Sequence, residues 1–238
     1  MSHVKNVQAF GKLTGICTGY GGTYNPGQQN LQVNAMTTLL NIAQQSMEEV
    51  SDAQTIYDNA TNQRVTGFKG IRNLSSRLVS VLKSSGAHPL TVLDAWGSSQ
   101  KVWGARRPKR EVEPNAKQGE KPKSPAIGGS DYASMAHHFA RLVETVSAEP
   151  KYNPNESELS VAGITQRLAE LRGLNEAVTQ AEIGLNKARR KRDGIYYKEE
   201  GNLFNTALAT KQYVRGVFGY KSNQHQEVKR LRFSKPKL

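Results

Sequence analysis

Apolar residues recur in steps of three and four from Val33 onward, as Val33, Met36, Leu40, Ala43, Met47 and Val50, then after a polar interruption near Gln54 as Tyr57 and Ala60, and then Phe68. A strand would alternate every second residue, so the spacing predicts one long helix with a narrow apolar stripe, closer to a coiled-coil seam than to a broad globular face. The pattern returns in Ile164, Leu168, Leu171, Val178, Ala181, Leu185, Ala188 and Ile195. Roughly thirty-five residues at about 1.5 Å each make a rod on the order of 50 Å. Such a helix cannot hide its stripe alone, and the natural solution is two long helices facing one another with shorter helices filling in.

Shorter periodic runs supply the filling. Ile71, Leu74, Leu78, Val81 and Leu82 form a stripe that closes at Gly86, where glycine suits a helix end. A further helix over 91–103 is expected to carry Leu93, Trp96 and Trp103 on one face, with a short counterpart over 227–233. Another should start at Ser130 or Asp131 and bury Met135, Phe139, Leu142 and Val146. Phe204, Leu208, Val214 and Val217 make a last stripe, ending at Gly219. The first twenty-odd residues, with Gly15, Gly19, Gly21 and Gly22, read as irregular chain.

The two long patterns are related in sequence. Tyr24-Asn25-Pro26 aligns with Tyr152-Asn153-Pro154, and at the same offset of 128 Leu31 meets Leu159, Val33 meets Val161, Leu40 meets Leu168, Val50 meets Val178 and Arg64 meets Arg192. About eleven identities over some forty residues, against about two or three for unrelated segments, indicate a duplicated unit. Each Tyr-Asn-Pro is a lead-in turn, because proline forces its predecessor out of helix. Beyond the long helices the copies correspond only after an insertion of about six or seven residues in the second.

The chain therefore divides into an irregular segment over 1–23, a first helical repeat over 24–104, a linker over 105–129, a bridging helix over 130–150 and a second repeat over 151–238, forming one domain. The fold class is an all-α helical bundle of two related repeats about a pseudo-twofold axis. Pro108, Pro114, Pro122 and Pro125 among many lysines and arginines give the linker the composition of an extended or disordered segment.

The second copy carries Lys211-Gln-Tyr213-Val-Arg215-Gly-Val-Phe218-Gly219 and a closing Leu231-Arg-Phe233, and the first carries Gly15-Ile-Cys17 before its Tyr24-Asn-Pro26. In these stretches the chain resembles a family of short uncharacterised proteins of the Bacteroidetes kind, to which no activity is assigned. The resemblance implies a stand-alone, mainly helical protein without a catalytic motif.

Composition narrows the chemistry. With 238 residues, 37% apolar and 7% aromatic, the chain can bury one substantial core with polar appendages. No secretory or membrane-spanning stretch is evident, so a cytoplasmic location away from membranes is the expectation. Cys17 is the single cysteine, which leaves neither an intrachain disulfide nor a thiolate zinc site.

Candidate catalytic and metal groups are weak. Gly19-Tyr-Gly21-Gly22 invites a phosphate-loop reading, but no Lys-Ser or Lys-Thr follows. His137 and His138 are adjacent and diverge by about 100° on a helix, and Glu48 with Asp52 has no second matching set of acids in the other copy. No general acid and base pair emerges. The expectation is a non-enzyme without metal or cofactor. Arg64 and Arg192 sit at matched positions where the stripe expects a core residue; they either tie helices to neighbouring turns or form an anion site at each end of the bundle.

The net charge of +13 has three concentrations. Arg106, Arg107, Lys109 and Arg110 open the linker; Lys187, Arg189, Arg190, Lys191 and Arg192 end the second long helix; Lys229, Arg230, Arg232, Lys235 and Lys237 crowd the carboxyl terminus. Converging, they would replace phosphate counterions and bind nucleic acid without sequence preference. The narrow stripes favour a different reading, a structural or protein-interaction module that self-associates or takes a protein partner. The interaction module is the first expectation and polyanion binding the alternative.

Overall fold

The three-and-four spacing becomes eight α-helices in the computed structural model, which describes residues 3–104 and 132–235. They are α1 (His3–Gly19), α2 (Val33–Gly67), α3 (Ile71–Ser84), α4 (Pro89–Trp103), α5 (Tyr132–Ser147), α6 (Val161–Asp193), α7 (Leu203–Phe218) and α8 (Asn223–Lys229). The described residues contain no strand, so the chain is an all-α helical bundle protein. The long helices run 35 and 33 residues.

The expected single domain is replaced by two compact units that cut across the sequence repeats. A terminal unit holds Met1–Tyr57 and Ala181–Leu238, and a central unit holds Asp58–Gln180. Each takes part of both long helices: α2 contributes its residues up to Tyr57 to the terminal unit, and α6 contributes its residues up to Gln180 to the central one. The described part of the helix expected over 130–150, α5, is a core element of the central unit.

In the terminal unit Phe10, Leu13, Met36, Tyr196, Leu203 and Val214 are buried together. Here α1 replaces the irregular segment expected over 1–23. Its glycines lower helix propensity by about 1 kcal/mol each, but Phe10, Leu13 and Cys17 share one buried stripe that more than offsets this at about 1.5–3 kcal/mol per large side chain. Past Asp193 the helix widens into one π-helical turn, Gly194–Lys198, which sends Tyr196 inward to donate to the Ala43 carbonyl at 3.2 Å.

In the central unit Ile71, Leu78, Leu82, Phe139, Leu142, Ile164 and Leu171 form the core. The face of α4 that carries Leu93, Trp96 and Trp103 is not the buried one. Ala95, Ser99 and Val102 are buried, with Ser99 Oγ donating to Ser75 Oγ of α3 at 3.1 Å, whereas Leu93, Trp96 and Trp103 are exposed. Small residues allow α4 to lie close to α3, and only the narrow side fits there.

Several contacts occur twice. Tyr24 donates to the Leu31 carbonyl at 2.7 Å, and Tyr152 donates to the Leu159 carbonyl at 2.7 Å. Phe68 packs on Tyr132 with ring centroids 4.8 Å apart, and Tyr196, 128 residues after Phe68, packs on His3 at 5.5 Å. The buried Phe10, Leu13, Thr14 and Cys17 of α1 are followed at 129 residues by Phe139, Leu142, Val143 and Val146 of α5. Ile71, Ser75, Leu78 and Leu82 of α3 are followed at 132 residues by Leu203, Ala207, Thr210 and Val214 of α7. The α3 and α7 registers thus differ from the 128-residue offset by four residues rather than six or seven, within the stretch that holds the π-helical turn and Gly201. After α7, α8 starts at Asn223, ahead of the expected 227.

Candidate nucleic-acid interface

The basic residues are distributed unevenly. Between Ala181 and Lys235 the chain has thirteen lysines and arginines against five acids, and this whole stretch lies in the terminal unit. Arg106, Arg107, Lys109 and Arg110 lie outside the described residues.

The run at the end of α6 is partly spent on internal partners. Lys191 Nζ reaches both carboxylate oxygens of Glu49 at 2.7 Å, Arg189 donates to the Gln54 side chain at 2.9 Å, and Arg192 donates through two nitrogens to Asp193 at 3.0 and 2.8 Å. Lys187 and Arg190 are exposed on the helix surface.

A denser arrangement stands at the corner between α7 and α8. Gly219 ends α7 at φ +89, a conformation open to glycine, and Ser222 starts α8 by accepting from the His225 amide at 3.1 Å. Between them Tyr220 projects with 54% of its surface exposed. Its backbone carbonyl is held by His225 Nδ1 at 2.8 Å and Gln226 Nε2 at 3.1 Å, and its ring lies 5.4 Å from the His225 ring. The Arg215 guanidinium sits 5.2 Å from the Tyr220 ring centroid and the Lys229 ammonium 5.4 Å from it, both within cation–π range. Lys221, Arg230 and Arg232 are exposed neighbours in sequence.

The chain after α8 is fixed in place. Lys211 donates to the Leu231 carbonyl at 2.9 Å and lies 5.9 Å from the Phe233 ring, and burial holds its ammonium below the ordinary lysine range. Asn6 of α1 then joins two segments: its amide donates to the Ser234 carbonyl at 2.8 Å and to the Tyr197 hydroxyl at 3.0 Å, while the Ser234 amide returns a bond at 3.1 Å. Ser234 lies beside Lys235, and Tyr197 follows the α6 run by five residues. One buried asparagine therefore brings the near ends of two basic stretches, 229–235 and 187–192, to the same neighbourhood.

The matched arginines have different partners. Arg192 is 14% exposed at its side chain and paired with Asp193. Arg64 places its guanidinium 4.6 Å from the Tyr132 ring centroid, and its Nε is buried without a partner. Arg192 thus pairs with its sequence neighbour, whereas Arg64 meets a residue 68 positions further along the chain.

Several other polar groups are paired or buried. An open cleft of about 590 Å³ in the central unit presents Arg77 and Arg167, but each is held by a carboxylate, Glu158 at 2.6 Å and Glu170 at 2.9 Å. Those hydrogen bonds hold Glu158 and Glu170 below the usual carboxylate range. Burial pushes the Cys17 thiol up to about 11, which suppresses the reactive thiolate. Gly19 and Gly21 end α1 and form a short turn after it, so the glycine-rich stretch does not present amides at a helix start. Among the described residues no group of three His, Cys, Asp or Glu is placed to hold a metal, and no helix is long and apolar enough to cross a membrane.

The sequence clusters single out Lys229, Arg230 and Arg232 but not Arg215, Tyr220 or Lys221. Nothing in their linear spacing marks them, since the turn at Gly219 is what folds Arg215 and Lys229 onto one ring. The chain matches no protein-family model, no curated protein and no solved structure.

Proposed function

We propose that the protein is a non-catalytic binding module whose terminal unit takes nucleic acid, with single strands preferred. The observation that carries this reading is Tyr220, exposed and flanked by Arg215 and Lys229. An aromatic face bordered by cations suits a stacked base next to its phosphates, and a surface without base-edge donors in a groove is tolerant of sequence. Lys221, Arg230, Arg232 and the α6 residues Lys187 and Arg190 extend the electrostatic footprint. The matched contacts of the two units support a duplicated scaffold, and among the described residues the basic corner is a feature of the terminal unit, where function is free to diverge.

Fluorescence anisotropy with a labelled oligodeoxythymidylate tests this. Tyr220→Ala should weaken binding by about 1–3 kcal/mol, the usual worth of one stacked base, while Arg64→Ala leaves it unchanged. Failure of the intact chain to bind the oligonucleotide at low salt sinks the reading, as does a Tyr220→Ala variant that binds normally.

A second reading, a protein-interaction module, is favoured by the exposed Leu93, Trp96 and Trp103 of α4. The two readings use different units and are compatible.

A further inference from the structure

Helix α4 leaves a large apolar face uncovered. Leu90 is 64% exposed, Leu93 58%, Trp96 52% and Trp103 44%. Together these amount to on the order of 500 Å² of apolar surface, at the upper end of what the surface of a monomer ordinarily shows in one patch. A standard interface covers about 800 Å² per partner, of which about 60% is apolar. The stripe therefore has the size of the apolar part of one such interface.

We propose that this face pairs with the same face of a second copy of the chain, α4 against α4, antiparallel about a twofold axis near Gly97. The proposal deepens the interaction-module reading and is independent of the nucleic-acid one.

Three features select a second copy. The first is the arrangement of charges. At 100° per residue Asp94 and Lys101 fall on the same edge of the exposed face, about 10 Å apart along the helix. Neither is in an ion pair with a described residue. Under the twofold, same edges meet in reversed order, so Asp94 faces Lys101 of the partner subunit and Lys101 faces the partner's Asp94. An edge carrying both signs in this order is complementary to itself, and a uniformly acidic or basic partner would leave half of it mismatched.

The second feature is the opposite edge, which holds Trp96 and Trp103. The same operation interleaves them with those of the partner, spaced three or four residues apart along the seam, so each indole is covered. Gly97 lies near the crossing point and has nothing within 4 Å of where a β-carbon would stand, which leaves room for close approach of the two backbones.

The third is net charge. Two chains of +13 repel, but the central unit has the smaller excess, seventeen lysines and arginines against twelve acids over 58–180, compared with sixteen against eight in the terminal unit. With screening over about 8 Å at physiological salt, the less charged unit is where two copies can meet.

The test is the mass of the nuclease-treated full-length chain in solution, by sedimentation equilibrium at tens of micromolar. A dimer of the 26.3 kDa chain is expected. Trp96→Lys should give a monomer with unchanged helical circular dichroism, because the side chain is exposed and its loss spares the core. Asp94→Lys should weaken the dimer at least tenfold, and the double variant Asp94→Lys, Lys101→Asp should restore it. A monomeric wild-type chain, a dimer insensitive to Trp96→Lys, or a double variant no better than the single one overturns the proposal. Oligonucleotide binding by the monomeric Trp96→Lys variant, read separately, keeps the two readings distinguishable.

Discussion

The Tyr24 hydroxyl donates to the carbonyl of Leu31 at 2.7 Å, seven residues on, and closes the lead-in turn of a 35-residue helix. Tyr152 and Leu159 make the same bond at the same length before α6. In each case both residues are buried, so the carbonyl has no water to turn to.

Replacing either tyrosine by phenylalanine should therefore cost about 1–3 kcal/mol, the penalty of a buried acceptor left unsatisfied rather than the smaller net worth of a hydrogen bond. Urea unfolding of Tyr24→Phe and Tyr152→Phe measures this. Near-equal losses are expected, and a loss under half a kcal/mol at both sites would mean that the bond does not hold the turn.

Alkaline stability follows from the same residue. Burial and the nearby Glu156 push the Tyr152 phenol from 10.0 up to about 12. The folded state thus keeps a proton that the unfolded chain releases first, so the contribution is full below pH 10.0 and is lost as pH rises through about 12. Thermal melts should fall over that window, and Tyr152→Phe should flatten the fall.

On the acid side the relevant group is His3. Its burial, reinforced by Arg192, holds the imidazolium below the ordinary 6.5, while Tyr197 shares its Nδ1 at 3.2 Å. The unfolded chain gains the proton first, so the contribution is complete above pH 6.5 and declines as pH falls through the lowered value. His3→Gln should reduce the loss of stability between neutral and acid pH in denaturant titrations; an unchanged profile would remove His3 from the account.

Glycines in α6 provide opposed predictions. A β-carbon on Gly163 would collide with the Ser157 carbonyl, where Ser160 caps the helix by accepting from the Gly163 amide at 3.1 Å. Gly163→Ala should destabilise by about 1–3 kcal/mol, as overpacking against backbone does. Gly173 is exposed within the helix with nothing within 4 Å, and Gly173→Ala should stabilise by about 1 kcal/mol. Calorimetry on both variants reads the two signs.

Salt dependence checks the basic corner. If Arg215, Lys221, Lys229, Arg230 and Arg232 each neutralise one phosphate, the log–log slope for a single strand is about −3.5, a loss of about 100-fold between about 50 and about 200 mM salt. A slope near zero in an anisotropy titration would exclude phosphate contacts by these residues.

Much of this molecule was readable from the chain, because helix formation depends on spacing that the sequence displays. Val33, Met36, Leu40 and Ala43 predicted α2 and its start, and Met135, Phe139, Leu142 and Val146 predicted α5 with its buried face. Tyr-Asn-Pro marked both lead-in turns. These are local properties: a period of 3.6, a proline, a glycine at a helix end.

What tertiary structure alone decided is which surfaces meet. The helicity of α1 was hidden by its glycines and is secured by burying Phe10 and Leu13 beside Met36 and Leu203. The division into two units assigns the beginning of each long helix to the same core as the end of the other, and no stripe along one helix states where its partner changes. On α4 the sequence placed Leu93, Trp96 and Trp103 on one face, and packing of Ala95, Ser99 and Val102 against α3 decided that this face lies outside. The Tyr220 corner is the same lesson at a site: Arg215 and Lys229 lie fourteen residues apart, and only the reversal at Gly219 brings both charges onto one ring.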